Sequence, residues 1–229
     1  MADLVFAAPE TQTLPIQGSE KRVPVNRIFC VGRNYEEHAK EMGVEVDRQA
    51  AFYFLKGNYA TIESGAKIAY PPGTSNYHYE MELSVVIGKP AYQVAKDKAN
   101  DVIFGYACSL DMTRRDLQLV AREKGRPWDL GKDFEQSAVF GEVVPVEKTG
   151  ILTEGAIELR QNGETKQSAD LSQLVWKIDE LISDLSKYYH LQPGDVIMTG
   201  TPAGVGPVKS GDVIEGSVAG VGDIRLEIE

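Results

Sequence analysis

Residues 77–89, YHYEMELSVVIGK, alternate polar and apolar side chains as a β-strand does and end in a valine-rich run that indicates burial. Because successive strand residues point to opposite faces, Glu80 and Glu82 share one face. Val86 makes that face apolar two residues after Ser84, so the strand enters the core soon after the two carboxylates. The opposite face is apolar throughout, with Met81, Leu83, Val85 and Ile87.

Two like charges on one strand face repel each other, and two interpretations account for them. The strand lies at a solvated sheet edge, or the pair binds a cation at the border of the core. Oxygen ligands favour magnesium, manganese or calcium over zinc. Asp111 is the candidate third ligand, because it ends the apolar strand FGYACSL and precedes the amphipathic stretch TRRDLQLVAREKG. Its alternative role is a helix cap, for which Thr113, with Asp116 three residues on, competes.

Two further candidates carry acid–base or charged chemistry. His38 and Glu41 lie three residues apart on the helix YEEHAKEM, hence on one face, where a carboxylate can orient an imidazole as a general base. An ordinary surface ion pair is the alternative. Lys132 lies among aromatic residues in WDLGKDF, where a partly buried ammonium would stabilise an oxyanion, although a lysine that extends to solvent has the same sequence pattern.

The segment TGTPAGVGP at 199–207 surrounds Thr201 with small and rigid residues. It matches neither a Walker loop nor a dinucleotide fingerprint, and it is predicted to be either a carboxylate-binding turn or a structural turn. His78 and His190 have no comparable arrangement and are interpreted as structural.

Composition narrows the class of protein. The chain has 229 residues, of which 42% are hydrophobic and 25% charged, as in an ordinary globular protein. A net charge of −10 argues against nucleic-acid and anionic-membrane partners. No apolar run is long enough to span a membrane, and the N-terminus lacks the pattern of a signal peptide. A cytoplasmic location is therefore expected, with Cys30 and Cys108 as buried free thiols rather than a disulfide pair.

The pattern of elements predicts a β-dominated α+β fold with three helices among many strands. Asn34 is predicted to cap the first helix with Glu37 completing a capping box, and Gly43 to end it. Asn162-Gly163 predicts a hairpin turn, and two copies of Gly-Asp-Val-Ile, at 194–197 and 211–214, each launch a strand. A third helix is predicted from apolar residues at helical spacing, namely Leu171, Leu174, Val175, Ile178, Leu181, Ile182 and Leu185.

The order of five segments resembles the fumarylacetoacetate hydrolase family, above all its short members that cleave acylpyruvates such as fumarylpyruvate. These segments are CVGRNYEEHAKEMG, HYEMELSVVIGK, GYACSLDMTRRDLQ, GRPWDLGKDF and LQPGDVIMTGTPAGVGPVKSGD. The resemblance covers about residues 25–229, which predicts a catalytic domain over 25–229 after an N-terminal strand-and-turn segment over 1–24. It implies a fumarylacetoacetase C-terminal-like fold of mixed rolled β-sheets, assembled as a homodimer.

The resemblance also implies roles for individual residues. It makes Glu80, Glu82 and Asp111 ligands of Mg²⁺ or Mn²⁺, with Ca²⁺ as a substitute. It makes His38, Glu41 and Lys132 catalytic, and it places Arg115, Gln118 and Thr201 around the substrate. One departure is Tyr79, where many relatives have a second histidine.

The implied activity is metal-dependent hydrolysis of a carbon–carbon bond in a 2,4-dioxo acid, which releases pyruvate and a carboxylic acid. The expected partner is thus a small anionic 2-oxo acid. Two alternatives remain at this point. One is an oxaloacetate decarboxylase or keto–enol isomerase of oxo-diacids that uses the same metal site, and the other is a non-catalytic module that binds a divalent metal.

Overall fold

A computed structural model describes residues 4–43 and 47–229 of the chain. Most of its regular structure is strand, and its helices are short. The strands are β1 Thr13–Ile16, β2 Ser19–Pro24, β3 Ile28–Gly32, β4 Phe52–Lys56, β5 Thr61–Glu63, β6 Ala66–Ile68, β7 Tyr77–Tyr79, β8 Met81–Ile87, β9 Ile103–Asp111, β10 Thr113–Arg114, β11 Ala138–Phe140, β12 Val144–Pro145, β13 Ala156–Gln161, β14 Glu164–Asp170, β15 Val196–Met198, β16 Gly206–Pro207, β17 Val213–Val218 and β18 Gly222–Ile228. The helices are α1 Glu36–Glu41, α2 Lys96–Ala99, α3 Arg115–Glu123, α4 Asp129–Lys132, α5 Val146–Thr149 and α6 Ile178–Tyr188.

Two large sheets enclose the main core. One has the strand order β4-β3-β15-β8-β9-β11-β5, with β12 also paired to β9, and the other has the order β14-β13-β17-β18-β6. One face of β8 contributes Met81, Leu83 and Val85 to a cluster that includes Leu159 and Ile214 of the second sheet. This mixed arrangement of antiparallel and parallel pairs confirms the predicted β-dominated α+β class.

The opposite face of the large sheet is covered by the N-terminal hairpin. β1 and β2 pair antiparallel, and Leu14 and Val23 pack with Cys30, Val86 and Met198 in a second apolar cluster. Cys30 and Cys108 are both buried free thiols, as predicted. No helix within residues 4–43 and 47–229 is long and apolar enough to cross a lipid bilayer.

The strands that position the polar residues meet at one end of the large sheet. β8 and β9 form a long antiparallel pair, with Met81 opposite Leu110 and Glu82 opposite Ser109. A small sheet with the order β10-β7-β16 continues from that end. The break between β7 and β8 falls at Glu80, and the break between β9 and β10 falls at Met112. Both breaks therefore lie at the same end of the sheet.

Several local predictions are confirmed. The Asn162-Gly163 turn, with φ values of +54° and +82°, connects β13 to β14. Both Gly-Asp-Val-Ile segments lead into strands, β15 and β17. α1 is followed by Gly43 at φ +69°, in the left-handed region that suits glycine.

Three local predictions are wrong, because other contacts outcompete the pattern on which each prediction was based. Asn34 does not cap α1, since its side chain binds the backbone of Trp176 and Thr199 instead. Thr113 does not cap α3, since it lies in β10 and its hydroxyl accepts a hydrogen bond from Lys132 Nζ. The third helix does not begin at Leu171, because residues 171–173 form an isolated 3-10 turn with its own capping box, and α6 starts at Ile178.

Candidate active site

Three carboxylates converge where β8 and β9 end. Glu80, Glu82 and Asp111 are all buried, and one ligand oxygen from each lies within 4.8 Å of the others. The strand pairing explains this, because the Asp111 amide donates to the Glu80 carbonyl at 2.9 Å and so aligns the two residues across the ladder. Glu82 joins them because it shares a strand face with Glu80. The structure thus brings the three predicted metal ligands together.

Buried cations surround part of this cluster. The Lys132 ammonium donates to Glu80 Oε2, Asp111 Oδ2 and Thr113 Oγ1, each at 2.7 Å. Burial disfavours the charged lysine, but Asp111 and Glu80 outweigh burial and raise the pKa of Lys132. Since all three of its protons have acceptors, this arrangement favours a role in positioning Glu80 and Asp111 over the oxyanion contact predicted from sequence.

The two glutamates on one strand face have opposite electrostatic environments. Burial would raise the pKa of Glu80, but Lys132 and Arg115 outweigh it, and the pKa lies well below its usual range. Glu82 forms no ion pair with any residue in 4–43 or 47–229, and it accepts a hydrogen bond from the Gly200 amide at 2.7 Å. Burial and the negative charges of Asp111 and Glu80 raise the pKa of Glu82 well above its usual range.

Lys56 is a functional candidate that sequence reasoning missed. It ends β4, its side chain is fully buried, and its ammonium donates to Ser137 Oγ at 2.9 Å, to the Met112 carbonyl at 3.1 Å and to the Lys132 carbonyl. Its Nζ also lies 2.9 Å from Asp111 Oδ1. The aromatic run FYFLK has the same pattern as the segment around Lys132, and that shared pattern is the signal that was available.

The residues present fit a divalent cation. Asp111 Oδ1 is buried and accepts no hydrogen bond from the described residues, since the Lys56 protons go to other acceptors. The Glu82 carboxyl group is buried and has only an amide as its partner among the described residues. Both therefore keep free lone pairs where the three carboxylates meet, and hard oxygen donors are what Mg²⁺ and Mn²⁺ require.

His38 and Glu41 form the predicted pair. His38 Nδ1 lies 3.0 Å from Glu41 Oε2, and the Gly204 amide donates to both Glu41 oxygens at 3.1 and 3.3 Å. Burial would raise the pKa of Glu41, but the hydrogen bonds from His38 and Gly204 outweigh it and lower the pKa. An ionised Glu41 accepts the Nδ1 proton, which leaves Nε2 of His38 as the basic nitrogen.

A buried glutamine fixes the loop that contains Thr201, and it too was missed from the sequence. Gln167 Nε2 donates to Thr201 Oγ1 at 2.8 Å and to the Pro202 carbonyl at 2.7 Å, while its Oε1 accepts from the Met81 amide at 2.9 Å. The Thr201 hydroxyl thus accepts one hydrogen bond from the protein and can donate its own proton. Gln167 follows the hairpin turn in a polar strand, and nothing in that local pattern distinguishes it.

Seven of the nine predicted site residues line one pocket. They are His38, Glu80, Glu82, Arg115, Gln118, Lys132 and Thr201. Asp111 and Glu41 lie behind them, in contact with Lys132 and His38 respectively. Arg115 donates to Glu80 Oε1 at 2.5 Å and to Gln118 Oε1 at 2.6 Å, and its buried Nε has no acceptor among the described residues.

The remaining histidines and the departure at Tyr79 lie outside this pocket lining. His78 contacts Asn76 Oδ1 at 2.8 Å through Nε2, and His190 stacks on the Tyr92 ring at a centroid distance of 3.9 Å. Tyr79 is buried and faces away from Glu80 along the strand, with its hydroxyl against Gly206. Tyr79 therefore supports the loop at 200–206 from the opposite side of β7.

Known proteins share both the sequence and the architecture of this chain. A fumarylpyruvate hydrolase from Ralstonia sp is 57% identical over 189 residues, which are 82% of this chain and 98% of that relative. The mitochondrial oxaloacetate tautomerase of Homo sapiens is 41% identical over 202 residues, covering 88% of this chain and 91% of that relative.

Solved structures give the same grouping. The crystal structure of fumarylpyruvate hydrolase from Pseudomonas aeruginosa in complex with Mn²⁺ and pyruvate matches with a TM-score of 0.96 and 42% identity over 99% of both chains. The model of the fumarylacetoacetate (FAA) hydrolase C-terminal domain matches residues 27–229 and so includes all nine predicted site residues. A shared domain over nine-tenths of the sequence, with the same fold over nearly its full length, places this chain in the fumarylacetoacetate hydrolase family.

Proposed function

We propose that this protein is a metal-dependent hydrolase that cleaves acylpyruvates of the fumarylpyruvate type into pyruvate and a carboxylic acid. The observation that carries the proposal is one pocket lined by a buried carboxylate cluster and by a histidine oriented by Glu41. Relatives named fumarylpyruvate hydrolase at 57% and 42% identity support the substrate class.

Glu80, Glu82 and Asp111 are the residues that would hold Mg²⁺ or Mn²⁺. When bound, the cation would draw electron density from the 1-carboxylate and 2-oxo oxygens and stabilise the negative charge that develops on the pyruvate fragment. Lys132 and Lys56 hold the carboxylates in place. Removal of the cation from the protein is accordingly expected to abolish turnover.

His38 supplies the proton transfers. Glu41 accepts a hydrogen bond from the protonated Nδ1 of His38, so Nε2 is the nitrogen that can act as a base. Nε2 removes a proton from water as the water oxygen bonds to the distal carbonyl carbon. The bond between that carbon and C3 of the pyruvate fragment then breaks, and its electron pair stays on the pyruvate fragment. The proton held by His38 returns to that fragment, so pyruvate and the carboxylic acid leave with no net change at the histidine.

Arg115, Gln118 and Thr201 are assigned to substrate binding. The Nε–H of Arg115 has no acceptor among the described residues, and the Thr201 hydroxyl has a proton to donate once Gln167 has supplied its other hydrogen bond. Both residues line the pocket. Donors in these positions suit the carbonyl and carboxylate oxygens of a dioxo acid.

The second candidate function is keto–enol isomerisation of oxaloacetate, which the tautomerase relatives at 41% identity favour. Tautomerisation needs the stabilised enolate and a proton transfer at C3 but no attacking water, so the two functions differ in whether a carbon–carbon bond breaks and pyruvate is released. The decisive experiment is a steady-state assay of fumarylpyruvate, acetylpyruvate and oxaloacetate with Mg²⁺ and with Mn²⁺. We expect pyruvate release from the acylpyruvates. If wild-type protein releases none and only tautomerises oxaloacetate, the hydrolase assignment is wrong.

We further propose that the protein forms a homodimer in the cytoplasm, with residues 25–229 as the catalytic domain and 1–24 as an N-terminal strand-and-turn segment. The match of the family domain to residues 27–229 supports this division. Sedimentation equilibrium tests the assembly, where a monomer mass of 25.1 kDa at micromolar concentration would contradict the dimer.

A further inference from the structure

Two arginines at the pocket lining have no part in the chemistry described above. Arg33 follows β3, in the turn that leads to α1, and Arg122 lies in the last turn of α3. Both side chains are partly buried and line the same pocket as His38 and Glu80. Two guanidinium groups of like charge therefore lie at one pocket.

The arginines repel each other and lack an acidic partner within the described ranges. No carboxylate of residues 4–43 or 47–229 forms an ion pair with either guanidinium. Burial lowers the pKa of Arg33, and the positive charge of Arg122 lowers it further. An anion placed between the two would relieve both effects.

Both guanidinium groups are held in place. Arg33 has a φ of +59°, a left-handed conformation that costs free energy in a non-glycine residue, and Asn34 anchors this turn to the Thr199 carbonyl at 2.8 Å. The Arg33 guanidinium lies 5.4 Å from the centre of the Phe52 ring. Arg122 Nη1 donates to the Met42 carbonyl at 3.1 Å, and its other donors have no acceptor among residues 4–43 and 47–229.

We propose that Arg33 and Arg122 together bind a carboxylate at the far end of the substrate's acyl group. This inference rests on the proposed function and makes it more specific: the preferred acylpyruvates are those whose acyl group itself ends in a carboxylate. In this arrangement the carboxylate cluster would take the pyruvate part of the substrate, and the two arginines would take its terminal carboxylate. Fumarylpyruvate has such a terminal carboxylate, whereas acetylpyruvate ends in a methyl group.

The test compares kcat/KM for fumarylpyruvate with kcat/KM for acetylpyruvate, in the Mn²⁺-loaded enzyme. We expect Arg122→Met and Arg33→Met each to lower the ratio of these two values by about 10- to 100-fold, mainly through KM for fumarylpyruvate. Arg122→Lys keeps the charge and should restore part of the ratio. Arg126→Met is the matched control, since Arg126 is exposed three residues after α3 ends and does not line the pocket.

Inhibition by the product acid is an independent test of the arginine site. Fumarate should inhibit wild-type enzyme more strongly than crotonate, its analogue with a methyl group in place of one carboxylate, and Arg122→Met should remove that difference. If the folded variants change both substrates equally or neither, as judged beside Arg126→Met, the arginine site is wrong while the hydrolase assignment stands. If wild-type enzyme cleaves neither acylpyruvate, the proposed function itself has failed.

Discussion

Lys56 Nζ lies 2.9 Å from Asp111 Oδ1, and both side chains are fully shielded from solvent. The pair joins the end of β4 to the end of β9 across 55 residues of sequence. Its ammonium also donates to Ser137 Oγ and to two backbone carbonyls, so one buried cation fixes three segments at the base of the pocket. Lys56 thereby holds a carboxylate of the proposed metal site.

The first prediction concerns this pair. Lys56→Met leaves Asp111 without an ion-pair partner and the Ser137, Met112 and Lys132 acceptors without their donor, and loss of one partner of a buried ion pair costs about 3–5 kcal/mol. Urea unfolding at neutral pH measures that cost. Lys89→Met, at an exposed position, is the control and should cost less than about 0.5 kcal/mol. Equal stabilities of the two variants would show that the Lys56 contacts contribute little.

The second prediction uses the opposite environments of Glu80 and Glu82. The folded-state pKa of Glu82 is raised above its unfolded value, so the metal-free protein loses stability as pH rises through the folded-state pKa. Glu82→Gln removes that ionisation and retains an oxygen for the Gly200 amide. The metal-free variant should therefore melt at a higher temperature than wild type at pH 8, with the difference disappearing below about pH 4.5.

The same variant should bind metal poorly. Loss of one of three carboxylate ligands should weaken Mn²⁺ binding by about 100-fold or more, as measured by titration calorimetry. Glu142→Gln, at an exposed site, should change neither the melting temperature nor the affinity. A Glu82→Gln protein that binds Mn²⁺ as wild type does would remove Glu82 from the ligand set.

The third prediction separates His38 from Glu41. His38→Asn should lower kcat for acylpyruvate cleavage by about 100- to 10,000-fold, because it removes the imidazole assigned to accept the proton of water. Glu41→Gln keeps a hydrogen-bond acceptor for Nδ1 and should cost less. Mn²⁺ affinity should be unchanged in both, since neither residue contacts the carboxylate cluster. Weaker metal binding in His38→Asn would contradict the assignment of His38 as a base.

Because the pKa of Glu41 lies below its ordinary value, Glu41 stays ionised over the neutral range. The acid limb of the pH profile of kcat/KM is then not set by Glu41. Glu41→Gln should lower the plateau of that profile without removing its acid limb, and disappearance of the limb would assign it to Glu41 instead.

The fourth prediction concerns the turn that binds Glu82. Gly200 has a φ of +99°, and a Cβ there would lie 2.8 Å from Cβ of Asn34 and 3.1 Å from the Val31 carbonyl oxygen. Gly200→Ala should destabilise the protein by about 1–3 kcal/mol or displace the turn. Gly73→Ala is the matched control for backbone strain alone, since Gly73 has a φ of +77° and open space around it. A cost at Gly200 no larger than at Gly73 would show that the close approach to Asn34 is tolerated.

Some features of the proposed site follow from short stretches of sequence. The shared face of Glu80 and Glu82 follows from the two-residue period of a strand, and the contact between His38 and Glu41 follows from the helical spacing of three. The hairpin at Asn162-Gly163 follows from turn chemistry. Each of these features depends on a few adjacent residues, so it could be predicted from the sequence. The family resemblance then connected these pieces to a substrate class, which strand and helix periods alone could not do.

Other features depend on residues far apart in sequence. Asn34 has the composition of a helix cap, yet the turn at 199–200 and Trp176 offer its side chain three hydrogen bonds, and these outcompete the local pattern. Gln167 reaches Thr201 only because β14 folds back beside the 200–206 loop. These contacts depend on how strands and loops pack together, which the local spacing of residues does not predict.

The sequence by itself determined that two carboxylates share a strand face, that a histidine and a glutamate share a helix face, and that the fold is β-dominated. Tertiary structure decided the charge of the site. Glu80 received Lys132 and Arg115 as partners, whereas Glu82 received only the Gly200 amide. Because a buried carboxylate is stabilised or destabilised by whichever groups the fold places within a few ångströms, residues two apart on one strand acquired opposite pKa shifts.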